Sequence, residues 1–193
     1  HKYYPNLVVV HIDAHTDTYR SDSNQDYMRY NVATTFTRAA EEGLIDVAAS
    51  MHVGPRGPTN DDTVFDYTRD VGFKLVDGYE LFETGLTNTA NSLVSDLHGR
   101  DVYLCFDMDF FDPSCAPGVC TPTWGGASAR EGLGFLQALS GLNVVGADIN
   151  TVSPPHDVGG MTAFLAGTVA LEILTLFCHA KGLIPDNSQP ACS

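Results

Sequence analysis

The sequence predicts an α/β fold with a mostly parallel sheet, formed as a single domain over residues 1–193. Three observations carry that prediction. Short apolar runs, many of them rich in β-branched residues, fall at residues 7–12, 47–49, 73–76, 102–106 and 144–149, and the gaps between them are long enough for crossover helices. Proline and glycine cluster at 54–58, 113–126 and 153–160, which marks three loops and no interdomain linker. Two acidic motifs, Asp13-Ala14-His15-Thr16-Asp17 and Asp107-Met108-Asp109, stand directly after two of the runs. Open parallel sheets bind their ligands beyond the carboxyl ends of their strands.

In chain order, the run at 7–12 reads as a strand delivering the first motif, and residues 34–42 read as a helix leading to a strand at 47–49. A strand at 73–76 precedes a segment, 78–97, that contains another helix. The strand at 102–106 delivers the second motif, a helix covers 129–139, and a strand follows at 144–149. The clearest helix spans 161–181 and is stopped by Gly182 and Pro185. Its stretch 163–178 is largely apolar but carries Glu172 and Gly167. A membrane span wants about twenty apolar residues, so this segment reads as a buried helix packed on the sheet, with no membrane partner.

At 193 residues and 44% hydrophobic, the chain can bury one good core. Its net charge of −14, with only 10 Lys and Arg, excludes a nucleic-acid surface, which needs clustered cations against phosphate. Five cysteines, odd in number and without C-x-x-C spacing, fit a reduced, cytoplasmic setting better than a disulfide scaffold. Cys115 and Cys120 read as small loop fillers, and no leader pattern is present.

The two acidic motifs carry the chemistry. Side chains at i, i+2 and i+4 of a strand share a face, so Asp13, His15 and Asp17 point together if the extended geometry persists, and Asp107 and Asp109 do the same. Four carboxylates converging on one pocket repel each other unless cations lie between them. A mostly oxygen set with one imidazole suits Mn²⁺ or a similar divalent ion, and five donors ask for two. Either motif alone could be a helix cap or turn. The pattern Asp107-Met108-Asp109 also resembles phosphatases of the haloacid dehalogenase type, but Phe111 stands where those expect Thr or Val, and no Gly-rich phosphate cradle follows. His52, His98 and His179 lack ligand-like company and read as surface or packing residues, His11 as a packing group or a partner behind a metal ligand. Trp124 reads as cover for its own loop or as a wall of the pocket.

Residues 10–19 (VHIDAHTDTY) and 106–126 (FDMDFFDPSCAPGVCTPTWGG) resemble the two central signatures of the ureohydrolases, the arginase and agmatinase family, with the agmatinase branch nearest. Residues 42–45 (EGLI), 53–56 (VGPR) and 152–157 (VSPPHD) are similar to family segments in the same order, so the resemblance spans nearly the whole chain. It implies a three-layer α/β/α domain, two Mn²⁺ ions sharing a bridging hydroxide, and hydrolysis of an agmatine-like guanidino substrate to urea and an amine. It implies further that Asp13 and Asp107 contribute to both ions, that His15 and Asp109 complete one site, and that Asp17 helps the other and handles a proton. Homo-oligomers, trimers or hexamers, are usual in the family.

Three departures accompany the match. Family members carry a further His ligand roughly twenty residues before the first signature, whereas only twelve residues precede Asp13, and His1 is too near to replace it. A chain opening His1-Lys2-Tyr3 without Met reads as part of a longer protein lacking the N-terminal third of a typical member. In 31–36 (NVATTF), Val32 occupies the place of a family His that assists proton transfer or substrate contact. Thr151 stands where family enzymes have a guanidinium-gripping Glu, and losing one partner of a buried charge pair costs roughly 2–5 kcal/mol. Thr151 and His156 are the substrate-binding candidates that remain, with Asn150 and Asp112 as possible compensation. A non-catalytic homologue that keeps a structural metal site is the alternative.

Overall fold

The computed structural model describes residues 1–20 and 29–184; Pro185, expected to help stop the last helix, lies outside the described residues. The elements run β1 (Val8–Ile12), α1 (Thr35–Glu41), β2 (Met51–Val53), α2 (Val64–Val71), β3 (Lys74–Val76), α3 (Gly78–Thr84), α4 (Leu86–Asp96), β4 (Asp101–Asp107), α5 (Ala129–Ala138), β5 (Asn143–Asn150) and α6 (Met161–Ala180). Single 3₁₀ turns lie at Val32–Thr34, Met108–Phe110 and Pro154–His156.

The strands form one sheet in the order β3-β2-β1-β4-β5, and every pairing is parallel. The chain steps outward from β1 to β3, then returns to lay β4 on the other side of β1. That reversal opens a crevice between the carboxyl ends of β1 and β4, where parallel sheets bind ligands. The register Ile12↔Phe106 brings Asp13 and Asp107 to that crevice side by side.

Alternation along the strands assigns the two faces. Val8, Val10 and Ile12, with Val102, Leu104 and Phe106, face a core completed by Leu81, Ala90, Leu93, Phe135, Leu136, Leu139, Val169 and Ile173 from α3 to α6. On the other face Val9 and Cys105 pack with Phe36 of α1 and Phe73, making the third layer. Burying a large apolar side chain of this kind is worth about 1.5–3 kcal/mol.

Three elements differ from the sequence prediction. Residues 47–49 form a turn, and the strand begins at Met51. Asp46 causes the shift: its side chain accepts from Ala49 N and its carbonyl from Ser50 N and Oγ, and Ser50 Oγ then receives Val9 N. The single helix expected within 78–97 is two, broken at Gly85, whose φ of 87° interrupts the helical path. Helix α2, for which no element was expected, follows an Asp61 turn on Thr63 and ends at left-handed Gly72; Val64, Phe65, Tyr67 and Val71 fall at helical spacing, a short amphipathic signal without a continuous apolar run.

Helix α6 is not wholly buried as expected. Thr162, Val169, Ile173 and Leu176 pack inward, while Met161, Phe164, Leu171 and Leu174 are exposed. By length and composition alone the helix could cross a membrane, which is weak evidence for a single helix that packs on β5.

Candidate metal centre

Asp13 follows β1 by one residue, and its amide still bonds Val53 O at 3.1 Å, so β2 holds it in line. The extended path then breaks. Asp17 lies at φ 46°, so the chain curls there, and Asp17 reaches the crevice by a turn instead of by strand alternation. At the end of β4 the Asp107 carboxylate caps the 3₁₀ turn by accepting Asp109 N at 2.8 Å. The turn re-aims Asp109 toward the first motif, where its Oδ1 accepts Ala14 N at 3.1 Å.

His15 sits between the motifs. Its Nδ1 lies 3.2 Å from Asp13 Oδ1 and 3.1 Å from Asp109 Oδ2, and its amide donates to Asp13 Oδ1 at 2.6 Å. Thr121 Oγ1 donates to Asp109 Oδ2 at 3.0 Å, and the Thr151 hydroxyl makes a short bond to Asp107 Oδ1. Two triads of donor atoms fall within 4.8 Å of one another: Asp13, His15 and Asp109, and His11, Asp13 and Asp17. Asp107 belongs to neither triad but lines the same cavity as Asp13, His15, Asp17 and Asp109. All five predicted ligands line one cavity of about 780 Å³, with Val32, Thr121, Trp124 and Thr151 among its walls. That volume suits a small-molecule site.

Asp13, Asp107 and Asp109 are only 2%, 4% and 1% exposed. Burial, then the charges of Asp13 and Asp109, push the Asp107 carboxyl up to about 8. Burial and the Asp13 charge raise Asp17 to about 6. Burial opposes charge on His15 too, but its bonds to Asp109 and Asp13 win and carry it to about 10. Burial would likewise raise Asp13, yet the charge of His11 and its hydrogen bond hold Asp13 far below the carboxylate range. Crowded, water-poor carboxylates of this kind are a cation's binding set, so the donors fit a divalent metal.

Behind Asp13 lies a buried hydrogen-bond chain. His11 Nε2 meets Asp13 Oδ2 at 2.9 Å, His11 Nδ1 meets His52 Nδ1 at 2.9 Å, and His52 Nε2 meets Thr18 Oγ1 at 3.2 Å. Thr18 donates its hydroxyl proton to Thr16 O, which leaves its oxygen to accept from His52 Nε2. His52 then offers Nδ1 as an acceptor to His11, whose Nε2 proton goes to Asp13. The expected packing role of His52 holds against Phe36 and Phe73, but its link to His11 was missed. The register His11↔His52 on neighbouring strands is the signal that exposes it.

The remaining candidates separate. Thr151, at φ 63°, directs its hydroxyl to Asp107. His156 is exposed, bonds Ser153 Oγ at 2.7 Å, and lies outside the cavity walls. Asp112 accepts Ser114 N, Gly125 N and Gly126 N as a loop builder, and Asn150 bonds Asp148. Val32 is 82% exposed and lines the cavity without a titratable atom.

A sequence profile of the arginase family matches residues 1–176. The chain belongs to the arginase family. It is 38% identical over 176 residues to proclavaminate amidinohydrolase of Streptomyces clavuligerus, covering 90% of this chain and 55% of that protein. A solved structure of proclavaminate amidinohydrolase from Streptomyces clavuligerus superposes with a TM-score of 0.84 at 37% identity, over 93% of this chain and 58% of the other. Agmatinase of Neisseria meningitidis is 35% identical over 91% of this chain and 53% of its own length. Guanidinopropionase of Pseudomonas aeruginosa is 37% identical over 90% and 54%. The chain thus spans about half the length of the curated relatives it matches. The five-stranded parallel sheet is the arginase-like α/β fold, and the family assignment supports a hydrolase.

Proposed function

We propose that this chain carries the metal-binding core of a binuclear manganese amidinohydrolase that cleaves a guanidino compound, agmatine or a near analogue, into urea and an amine. The observation that carries the reading is the convergence of Asp13, His15, Asp17, Asp107 and Asp109 on one cavity. In this reading Asp13 and Asp107 serve both ions, His15 and Asp109 complete one, and Asp17 serves the other. Bound there, two divalent cations supply Lewis acidity and lower the pKa of water toward neutrality.

The chain's own groups do the rest. The carboxylates are oriented before any ion arrives, since Asp13, Asp107 and Asp109 each accept a main-chain amide. Asp17, lining the same cavity, can take a proton from the attacking water and return it to the departing amine nitrogen as the C–N bond breaks. Trp124 and Thr121 give the cavity a wall against which the substrate's alkyl part packs. Three relatives of nearly equal identity carry three different names, so the proposal fixes the guanidino half of the substrate and leaves the amine half open. A cytoplasmic homo-oligomer working in polyamine metabolism completes the proposal.

Urea release by the Mn²⁺-loaded protein against agmatine, guanidinobutyrate, guanidinopropionate, arginine and free guanidine tests it, with metal content measured on the same sample. Turnover of one member with about two ions bound supports the proposal. Absence of bound metal sinks it. Two observations favour a second reading, a non-catalytic homologue with a structural metal: Thr151 binds Asp107, and Val32 brings no proton-carrying group. Two ions with no turnover of any guanidino compound would select that reading.

A further inference from the structure

Arg56, in the loop after β2, is bonded unlike an ordinary arginine. Its guanidinium donates to main-chain carbonyls: Nη2 to Asp109 O at 2.8 Å and Thr123 O at 2.8 Å, Nη1 to Gly54 O at 3.3 Å, and Nε to Trp124 O at 3.4 Å. Among the described residues no carboxylate lies within ion-pair distance of it. Its own amide donates to Ala14 O at 2.9 Å, between Asp13 and His15. One residue therefore touches the backbone of both acidic motifs and of the loop that walls the cavity.

The surrounding sequence makes room for it. A Cβ on Gly126 would come within 2.3 Å of Arg56 Nη2, and one on Gly78 within 2.9 Å of Arg56 Cβ. Both contacts are shorter than van der Waals packing permits, so these glycines clear the channel through which the side chain passes. A guanidinium suits the task because its planar fork presents five donors in fixed directions, and carbonyls of three separate segments can share them. The lysine ammonium is a compact point on a flexible stem and cannot hold all of those carbonyls at once.

We infer that Arg56 is a positioning residue that fixes the 121–124 wall of the cavity at a set distance from the Asp109 turn, and so governs how substrate fits without itself touching the ions. The inference rests on the proposed amidinohydrolase activity for its kinetic consequence alone. The ligands keep independent tethers: Asp109 Oδ1 accepts Ala14 N, and Asp107 Oδ1 accepts Asp109 N. Once Arg56 is gone, residues 121–124 keep one side-chain tether to the metal motifs, Thr121 to Asp109, while the end of the loop is held by the Asp112 bonds to Gly125 N and Gly126 N and by the main-chain bonds of Ala127 with Phe110 and Asp112. Removing Arg56 therefore loosens the wall before it loosens the metal site.

The test is Arg56→Lys and Arg56→Met in the whole Mn²⁺-loaded protein, with kcat, KM, metal content and amide hydrogen exchange measured. Misplaced positioning groups cost up to about 100-fold, so we expect KM to rise about tenfold or more, kcat to fall less than about threefold, and metal content to hold. Amide exchange over residues 119–126 should quicken at least tenfold while that over 107–110 stays within about twofold of wild type. An unchanged KM and unchanged exchange over 119–126 would overturn the inference, as would collapse of both variants to unfolded protein, which would make Arg56 a folding residue. If wild type turns over no guanidino compound, the proposed function fails by itself, and exchange over 119–126 still decides for or against Arg56.

Discussion

Replacing His11 with Phe asks what holds Asp13 in its site. His11 Nε2 is 2.9 Å from Asp13 Oδ2, both side chains are 2% exposed, and the imidazole ring lies 4.4 Å from that of Phe36. Phe would keep the ring contact and the volume but strip the carboxylate of its countercharge. Breaking a buried pair by removing one partner costs about 3–5 kcal/mol. At about 2–4 °C per kcal/mol for a chain of this size, the metal-free Tm should fall by about 6–20 °C. Two further signatures belong to the same cause. Near pH 5 the deficit should shrink, because protonating Asp13 relieves the unpaired charge. Saturating Mn²⁺ should raise the Tm of the variant more than that of wild type, because a cation then replaces the lost countercharge. Differential scanning calorimetry with and without Mn²⁺ at pH 5 and 7.5 reads all three. A metal-free His11→Phe protein as stable as wild type at pH 7.5 would refute the reasoning.

Asp107→Ala should lower metal affinity by more than about 100-fold, beyond what loss of an outer partner alone brings, and abolish turnover; isothermal titration with Mn²⁺ measures it. Between about pH 4 and 8 folded Asp107 holds a proton that the unfolded chain has lost, and between 6.5 and 10 folded His15 does the same, so metal-free stability should fall as pH rises from 7 to 9. Guanidinium-induced unfolding across that range checks it, and stability rising with pH would contradict the assignment. Mn²⁺ binding at pH 7 should release protons, since Asp107 must ionise to serve as a ligand; titrations in buffers of different ionisation enthalpy count them. Gly132→Ala should cost about 1–3 kcal/mol, because the new methyl would stand 2.2 Å from the Phe111 ring, and its denaturation midpoint should drop while metal content is unchanged.

The parallel α/β class and four of its five strands were legible because β-branched runs and the Gly and Pro loops between them are local signals. The fifth moved because Asp46 builds a turn on Ala49 and Ser50, a choice made by side chain to backbone bonds that apolar runs do not record. The break at Gly85 escaped for a related reason: a glycine inside a helical pattern is often tolerated. At the site, the two motifs sufficed to gather the five acidic and imidazole groups, although Asp17 arrives by a left-handed turn and Asp109 by a 3₁₀ turn, not by strand alternation. Partners that depend on register were not legible. His11 meets His52 only because β1 and β2 pair as they do, and apart from Gly54 O the carbonyls around Arg56 come from segments 53 to 68 residues away. Thr151 shows the limit from the other side, since no spacing rule foretells that its hydroxyl turns to Asp107.

The geometry around His15 ties these observations to one competition. With its ring protonated, Nδ1 donates between Asp13 Oδ1 and Asp109 Oδ2, at 3.2 and 3.1 Å, and so bridges two carboxylates that would otherwise repel. A divalent cation fills the same bridging role with twice the charge, and Asp13, His15 and Asp109 already hold their donor atoms within 4.8 Å of one another. Proton and metal therefore compete for one set of lone pairs, and the main-chain tethers on Asp13 and Asp109 keep that set assembled whichever is bound. His11 behind Asp13 tunes the balance: by neutralising Oδ2 from the rear it keeps the carboxylate ionised and its front oxygen available. The same acid that protonates His15 should therefore release the metal well before it unfolds the chain.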